Sequence, residues 1–222
     1  MLILPNIRFG LEIEAVSGPA NCPLGVRGTD YGGAIYEYRT RPVTLKEWVE
    51  NRELLRELFS ALIIDPDGDP PTGLHVHVEV PQEARGKQFF ARLARLWAAL
   101  EDDLQKAKPV SFIREKYAKS WSNSHSEAVA NAVQKSEYGC LDRYRTLNLA
   151  SYPEFGTVEF RLWNGTNDFD EVEEIVSFCL AVVWVAAAGC GKKTAQSPVD
   201  KERELAVRAG RKILEVIRKG NN

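Results

Sequence analysis

FGLEIE, residues 9–14, alternates apolar and charged side chains, and that alternation decides what kind of element opens this protein. Successive side chains of a strand point to opposite faces. From residue 7 to 15, Ile7, Phe9, Leu11 and Ile13 therefore line one surface, while Arg8, Glu12 and Glu14 line the other. GLHVHVEV, residues 73–80, repeats the pattern, with Leu74, Val76, Val78 and Val80 set against His75, His77 and Glu79. Residues 35–41, closed by Pro42, place Glu37, Arg39 and Arg41 on one face. Two further strands are expected at 143–151 and 157–163, separated by a turn at 153–156, and the second carries Glu159 and Arg161 on one side.

Between these strands lie helical patterns. Thr44, with Glu47 three residues on, reads as a capping box that starts one helix running to about residue 63, and DPDGDPP (65–71) stops it. Residues 82–107 carry Phe89, Phe90, Leu93, Leu96, Trp97, Leu100 and Leu104 as a packing stripe. Two helices, 169–188 and 200–219, end the chain, and a short helix is expected near 126–135. The glycine-rich stretch through Gly25, Gly28, Gly32 and Gly33 reads as a loop. The fold class expected is α+β: a mostly antiparallel, curved sheet of five or six strands, with helices on its apolar face. No repeat or linker interrupts the chain, so residues 1–222 are expected to form one domain.

Composition narrows the function. A 44% hydrophobic content suits a globular core, and a formal charge of −2 supplies no field to recruit nucleic acid or anionic lipid. The most apolar run, 178–189, is too short to span a bilayer. The opening MLILPNIRFG lacks the pattern of a secretory leader, and Cys22, Cys140, Cys179 and Cys190 have no paired spacing. The expected setting is therefore cytoplasmic, with neither nucleic acid nor membrane as partner.

If the strands share a sheet, its polar face collects Glu12, Glu14, Glu37, His75, His77, Glu79, Glu159 and Arg161. Carboxylates about 5 Å apart repel by roughly 3 kcal/mol at an effective dielectric near 20, so such a face calls for cations. Carboxylate oxygens with an imidazole suit Mg²⁺ or Mn²⁺. On this reading Glu12→Gln or Glu159→Gln is expected to stabilise the metal-free protein. A His75, His77 and glutamate set would alternatively serve a metal-dependent hydrolase or non-haem iron oxygenase, a reading that leaves Glu12, Glu14 and Arg161 unused.

FGLEIE (9–14), GLHVHV (73–78), RTLNL (145–149) and TVEFRLWNGT (157–166), in that order, resemble the amidoligases of the glutamine synthetase and glutamate-cysteine ligase (carboxylate-amine ligase) superfamily. The chain departs from the family pattern at Thr72-Gly73, where Cys-Gly is common, and at EYRTRP (37–42), where Glu-x-x-Ser-Pro is common. The resemblance implies a fold like the glutamine synthetase catalytic domain, and an ATP-dependent enzyme joining a carboxylate to an amine through an acyl phosphate. It implies that Glu12, Glu14, Glu37, His75 and Glu159 hold Mg²⁺ or Mn²⁺. His77, Arg145 and Arg161 would face ATP phosphates, Asn148 would orient the substrate carboxylate, and Arg161, Glu159 and Glu14 would carry the catalytic work. The partners implied are a carboxylate-bearing small molecule, peptide or protein and an amine donor. A relative that binds nucleotide without turnover is the non-enzymatic alternative.

Overall fold

The structure, a computed structural model, describes residues 6–113, 116–121, 131, 135, 141–190 and 199–219. The alternating segments form strands: β1 (Phe9–Ala15), β3 (Ile35–Thr40), β4 (Gly73–Glu79) and β6 (Thr157–Asn164). With β2 (Gly25–Asp30) and β5 (Leu147–Asn148) they make a six-stranded antiparallel sheet in the order β2-β3-β1-β4-β6-β5. The fold is α+β, as expected, with an open antiparallel sheet.

Register aligns the polar face. Glu14 lies opposite Glu37, and Glu12 lies between Arg39 on β3 and His75 on β4. His77 faces Glu159 across the β4–β6 pair, and Asn148 faces Glu159 from β5. Pairing shifts between Leu74 and Val76, so that Arg161 and Leu162 together lie across from His75. Arg161 keeps the place opposite His75 that the register of His77 with Glu159 and Val76 with Phe160 sets, and the extra residue is Leu162, after which Leu74 pairs with Trp163.

The opposite face is core. Leu11, Ile13, Leu74, Val76, Val78, Val158 and Phe160 are no more than 2% exposed. The helices α1 (Leu45–Glu50), α2 (Arg52–Ser60), α3 (Lys87–Ala107), α5 (Phe169–Ala188) and α6 (Val199–Lys219) contribute to the same cluster, and α4 is the single turn Tyr152–Phe155. Trp97 and Phe160 pack with ring centroids 5.0 Å apart, so the α3 stripe is packing surface. Buried carboxylates lock helices together: Glu173 of α5 takes both nitrogens of Arg52 at 2.7 Å, and Glu202 of α6 takes Arg92 at 2.6 Å and Arg95 at 3.1 Å. Among the described residues no helix is long and apolar enough to cross a membrane.

Four expectations are corrected. Residues 25–30 are an edge strand rather than loop. Every residue there is at least partly exposed, so the strand carries no apolar alternation to read, and Gly25 is required because a Cβ would sit 1.9 Å from the Arg39 carbonyl. The helix after Thr44 has its capping box but breaks at Asn51, whose side chain donates to the Glu47 carbonyl at 2.8 Å and competes with helix continuation. The strand expected at 143–151 shrinks to Leu147–Asn148: the Tyr144 carbonyl and the Thr146 N–H hydrogen bond to Lys119, and only the Thr146 carbonyl still reaches β6, accepting from the Arg161 N–H. The turn at 153–156 lies within α4, which Gly156 ends at φ 69°. The helix expected near 126–135 lies outside the described residues, apart from 131 and 135.

Candidate functional site

Glu12 and Glu14 alternate onto the polar face from β1, and His75 reaches it from β4. One ligand atom from each of these three lies within 4.8 Å of the others. Glu14 and His75 are buried, 3% and 1% exposed. His75 Nδ1 is 2.9 Å from Glu12 Oε1. Two carboxylates and an imidazole at this spacing are a donor set for a hard divalent cation, and drawing carboxylates out of water here is costly unless a cation compensates. The geometry thus fits the metal that the resemblance implies.

Glu37 stands beside Glu12 and ion-pairs with Arg39 at 2.8 Å. Burial pushes its carboxyl up to about 8, and a hydrogen bond with Glu12 and the charges of Glu12 and Asp30 add to the rise, while Arg39 opposes it. With its carboxyl held near 8, Glu37 keeps its proton at neutral pH when no cation is present.

Glu159 is different. Its Oε1 accepts from Arg161 Nη1 at 2.6 Å, and its Oε2 accepts from Asn148 Nδ2 at 2.6 Å. The His75 and His77 rings approach the same Oε1 at 3.4 and 3.7 Å. Burial alone would raise its carboxyl; Arg161, then His77, His75 and Asn148, outweigh burial and hold it down at about 2. The carboxylate expected to repel its neighbours is instead satisfied by protein, and the expectation that Glu159→Gln stabilises is corrected accordingly. Arg161 is 7% exposed, and its Nε has no hydrogen-bond partner among the described residues, so one donor of the fork remains to be satisfied.

The other expected residues separate. His77 is half-buried, with Nδ1 3.3 Å from the Thr157 hydroxyl and Nε2 4.0 Å from Glu12. Asn148 is brought to the site, but its amide is engaged with Glu159 and its oxygen with the Ala150 N–H. Arg145 turns to the Ser120 carbonyl at 2.8 Å and towards Asp142. Glu79 is held by Arg8 at 3.0 Å.

Beside Glu12 and His77 opens a cleft of about 310 Å³, lined also by Arg8, Gly10, Arg39 and Phe155. Gly10 shares the face of Glu12 and lines the cleft without a side chain, with Thr40 packed close beside it. The sequence signal was there: a glycine in the charged register of FGLEIE marks a place where something else can approach the backbone. Asp30, which adds to the acidity around Glu37, had no such signal because β2 did not read as a strand.

A family described as putative amidoligase enzyme matches residues 34–183, about two-thirds of the chain. No curated protein matches.

Proposed function

We propose, from the premise that the chain belongs to the putative amidoligase enzymes and so is a ligase-type enzyme, that it is an ATP- and Mg²⁺- or Mn²⁺-dependent carboxylate-amine ligase. Its sheet would then be of the glutamine synthetase catalytic kind, read on the polar face just described. The single observation that carries this reading is the convergence of Glu12, Glu14 and His75 to within 4.8 Å on the face that also carries Arg161.

In this reading Glu12, Glu14 and His75 hold the principal cation, with Glu37 joining once its own proton leaves. Glu159 is fixed as an anion by Arg161 and Asn148, so Asn148 acts first as a positioning residue for Glu159. Arg161 presents its unpartnered Nε–H to the phosphoryl or carboxylate oxygens that develop charge, a preorganised donor of the kind that stabilises transition states. His77 and Arg39 lie on the cleft beside Gly10, where nucleotide phosphates would approach. When bound, ATP with its divalent ion would supply the activation, by transfer of the γ-phosphoryl group to the substrate carboxylate with release of ADP, so that the amine could displace phosphate and lose its proton to form the amide. No protein nucleophile is needed. Arg145, committed to Ser120 and Asp142, reaches phosphate only if those contacts are exchanged.

The two-histidine hydrolase or oxygenase reading is less well served, because the three-residue group holds a single histidine. Calorimetry decides. ATP titrated with Mg²⁺ should give heat that EDTA abolishes, and equal binding in both conditions rejects the proposal.

A further inference from the structure

The two margins of the sheet meet. β2 stands at one edge, and beyond β5 at the other edge Lys119 bridges Arg145. At about 4.8 Å per strand, a flat sheet would hold these margins roughly 29 Å apart. Instead the rings of Tyr31, in the β2–β3 turn, and Tyr117 lie 6.0 Å apart, edge to face. Since α3 and α5 fill the apolar side, the polar side is the one across which this ring pair can reach. Two buried residues agree with such a roof. Ile35 shares the register of Glu37, and Ala118 follows Tyr117; both are 2% exposed, yet both lie outside the core cluster.

The tip has an unusual backbone. Tyr31 has φ 50°, and Gly32 and Gly33 follow at 67° and 94°. A tyrosine in the left-handed region is disfavoured and persists where its surroundings demand it, as at clamps and switches. Nothing lies within 4 Å of where a Cβ would stand on either glycine, so the turn is uncrowded on that side. Tyr144, 41% exposed and with its ring 6.0 Å from the Arg161 guanidinium, adds a further aromatic surface beside the site. The Gly10 cleft, with Arg8 and Arg39, has a charged rim instead.

We propose that Tyr31 and Tyr117 form an aromatic clasp that closes the Glu37 end of the polar face and selects the acceptor admitted there, a molecule whose flat or apolar group lies between the two rings while its polar end reaches towards Arg161. The acceptor role rests on the ligase reading; the clasp itself does not.

The test places a thiol beneath the roof. In a chain carrying Glu14→Cys, with Cys22, Cys140 and Cys190 changed to Ser and the fully buried Cys179 retained, the rate of labelling by an aromatic disulfide reagent is measured. Tyr117→Ala and Tyr31→Gly should each speed labelling by about tenfold or more, whereas Tyr117→Phe should stay within about twofold. Tyr31→Gly removes the ring and the left-handed strain together, and its thermal melt checks that it is folded. Benzoate should protect the thiol at about fivefold lower concentration than acetate when both tyrosines are present, and the preference should vanish in the two ring-deleted variants. Unchanged labelling in both ring-deleted variants overturns the clasp, and equal protection by the two acids overturns the selectivity. Mn²⁺ titration of the unaltered chain judges the metal reading by itself, since neither tyrosine is a metal ligand.

Discussion

Glu12 and Glu159 flank one imidazole, that of His75, from strands on either side of β4, and they are solved in opposite ways. On the β1–β3 side Glu12, Glu14 and Glu37 crowd together, and the cation paired there, Arg39, is half-exposed. On the β6–β5 side Glu159 has a buried guanidinium and a buried amide, one on each oxygen. The same residue type is thus an open donor in one corner and a finished anion in the other. Like charge on one face does not by itself make a metal site; what counts is whether a protein cation already occupies the place.

The sharpest way to break this contrast is Arg161→Ala. It leaves Glu159 buried without its cation and should cost about 3–5 kcal/mol of stability, read by urea melts. A loss below about 1 kcal/mol would show that water or a neighbour replaces the guanidinium, and the two corners would then be alike. Arg161→Lys keeps the charge but not the planar fork, and should impair ADP release in a coupled assay more than it impairs stability.

The glutamines come next. In EDTA at low salt, Glu159→Gln should lower stability by about 1–3 kcal/mol, because Arg161 loses its ionic partner. Glu12→Gln under the same conditions should raise stability by up to about 1 kcal/mol through relief of repulsion, a gain that salt shrinks. Saturating Mg²⁺ should reverse the Glu12 result, since the ion stabilises only a chain that binds it. Thermal melts of both variants in both media would show it, and a shift of the same sign in EDTA would remove the distinction.

The smallest effect is in pH. Glu37 sits at about 8 when folded, against a reference of 4.5, so the metal-free fold binds a proton that the unfolded chain gives up. Its contribution is full below pH 4.5 and lost as pH rises through about 8. Glu159, at about 2, works the other way: its stabilisation is present above pH 4.5 and lost as pH falls towards 2. Glu37→Gln should therefore flatten the stability profile between pH 5 and 8 and leave the acid limb alone. Mn²⁺ binding to the unaltered chain should tighten over the same interval and release a proton, measurable by calorimetry in two buffers.

Much of this site was readable in the chain because period-2 alternation is a local property. Glu12, Glu14, His75, His77, Glu159 and Arg161 each sit opposite an apolar residue that must be buried, so their face follows without knowing any partner strand. The capping box at Thr44 and the α3 stripe were readable for the same reason. The ordered motifs also identified the family, now matched over residues 34–183. What the sequence could not decide was pairing. Whether Glu159 also meets Asn148 or an open cation depends on the two residues of β5, and whether Arg145 faces the site depends on Ser120 and Asp142. Nor could it show β2, an exposed edge strand with no apolar face to mark it, or the approach of Tyr31 to Tyr117 across the curled sheet. Alternation sets which way a side chain points, since that is fixed by backbone geometry one residue at a time; what it points at is set by register and curvature, which only the whole assembled sheet determines.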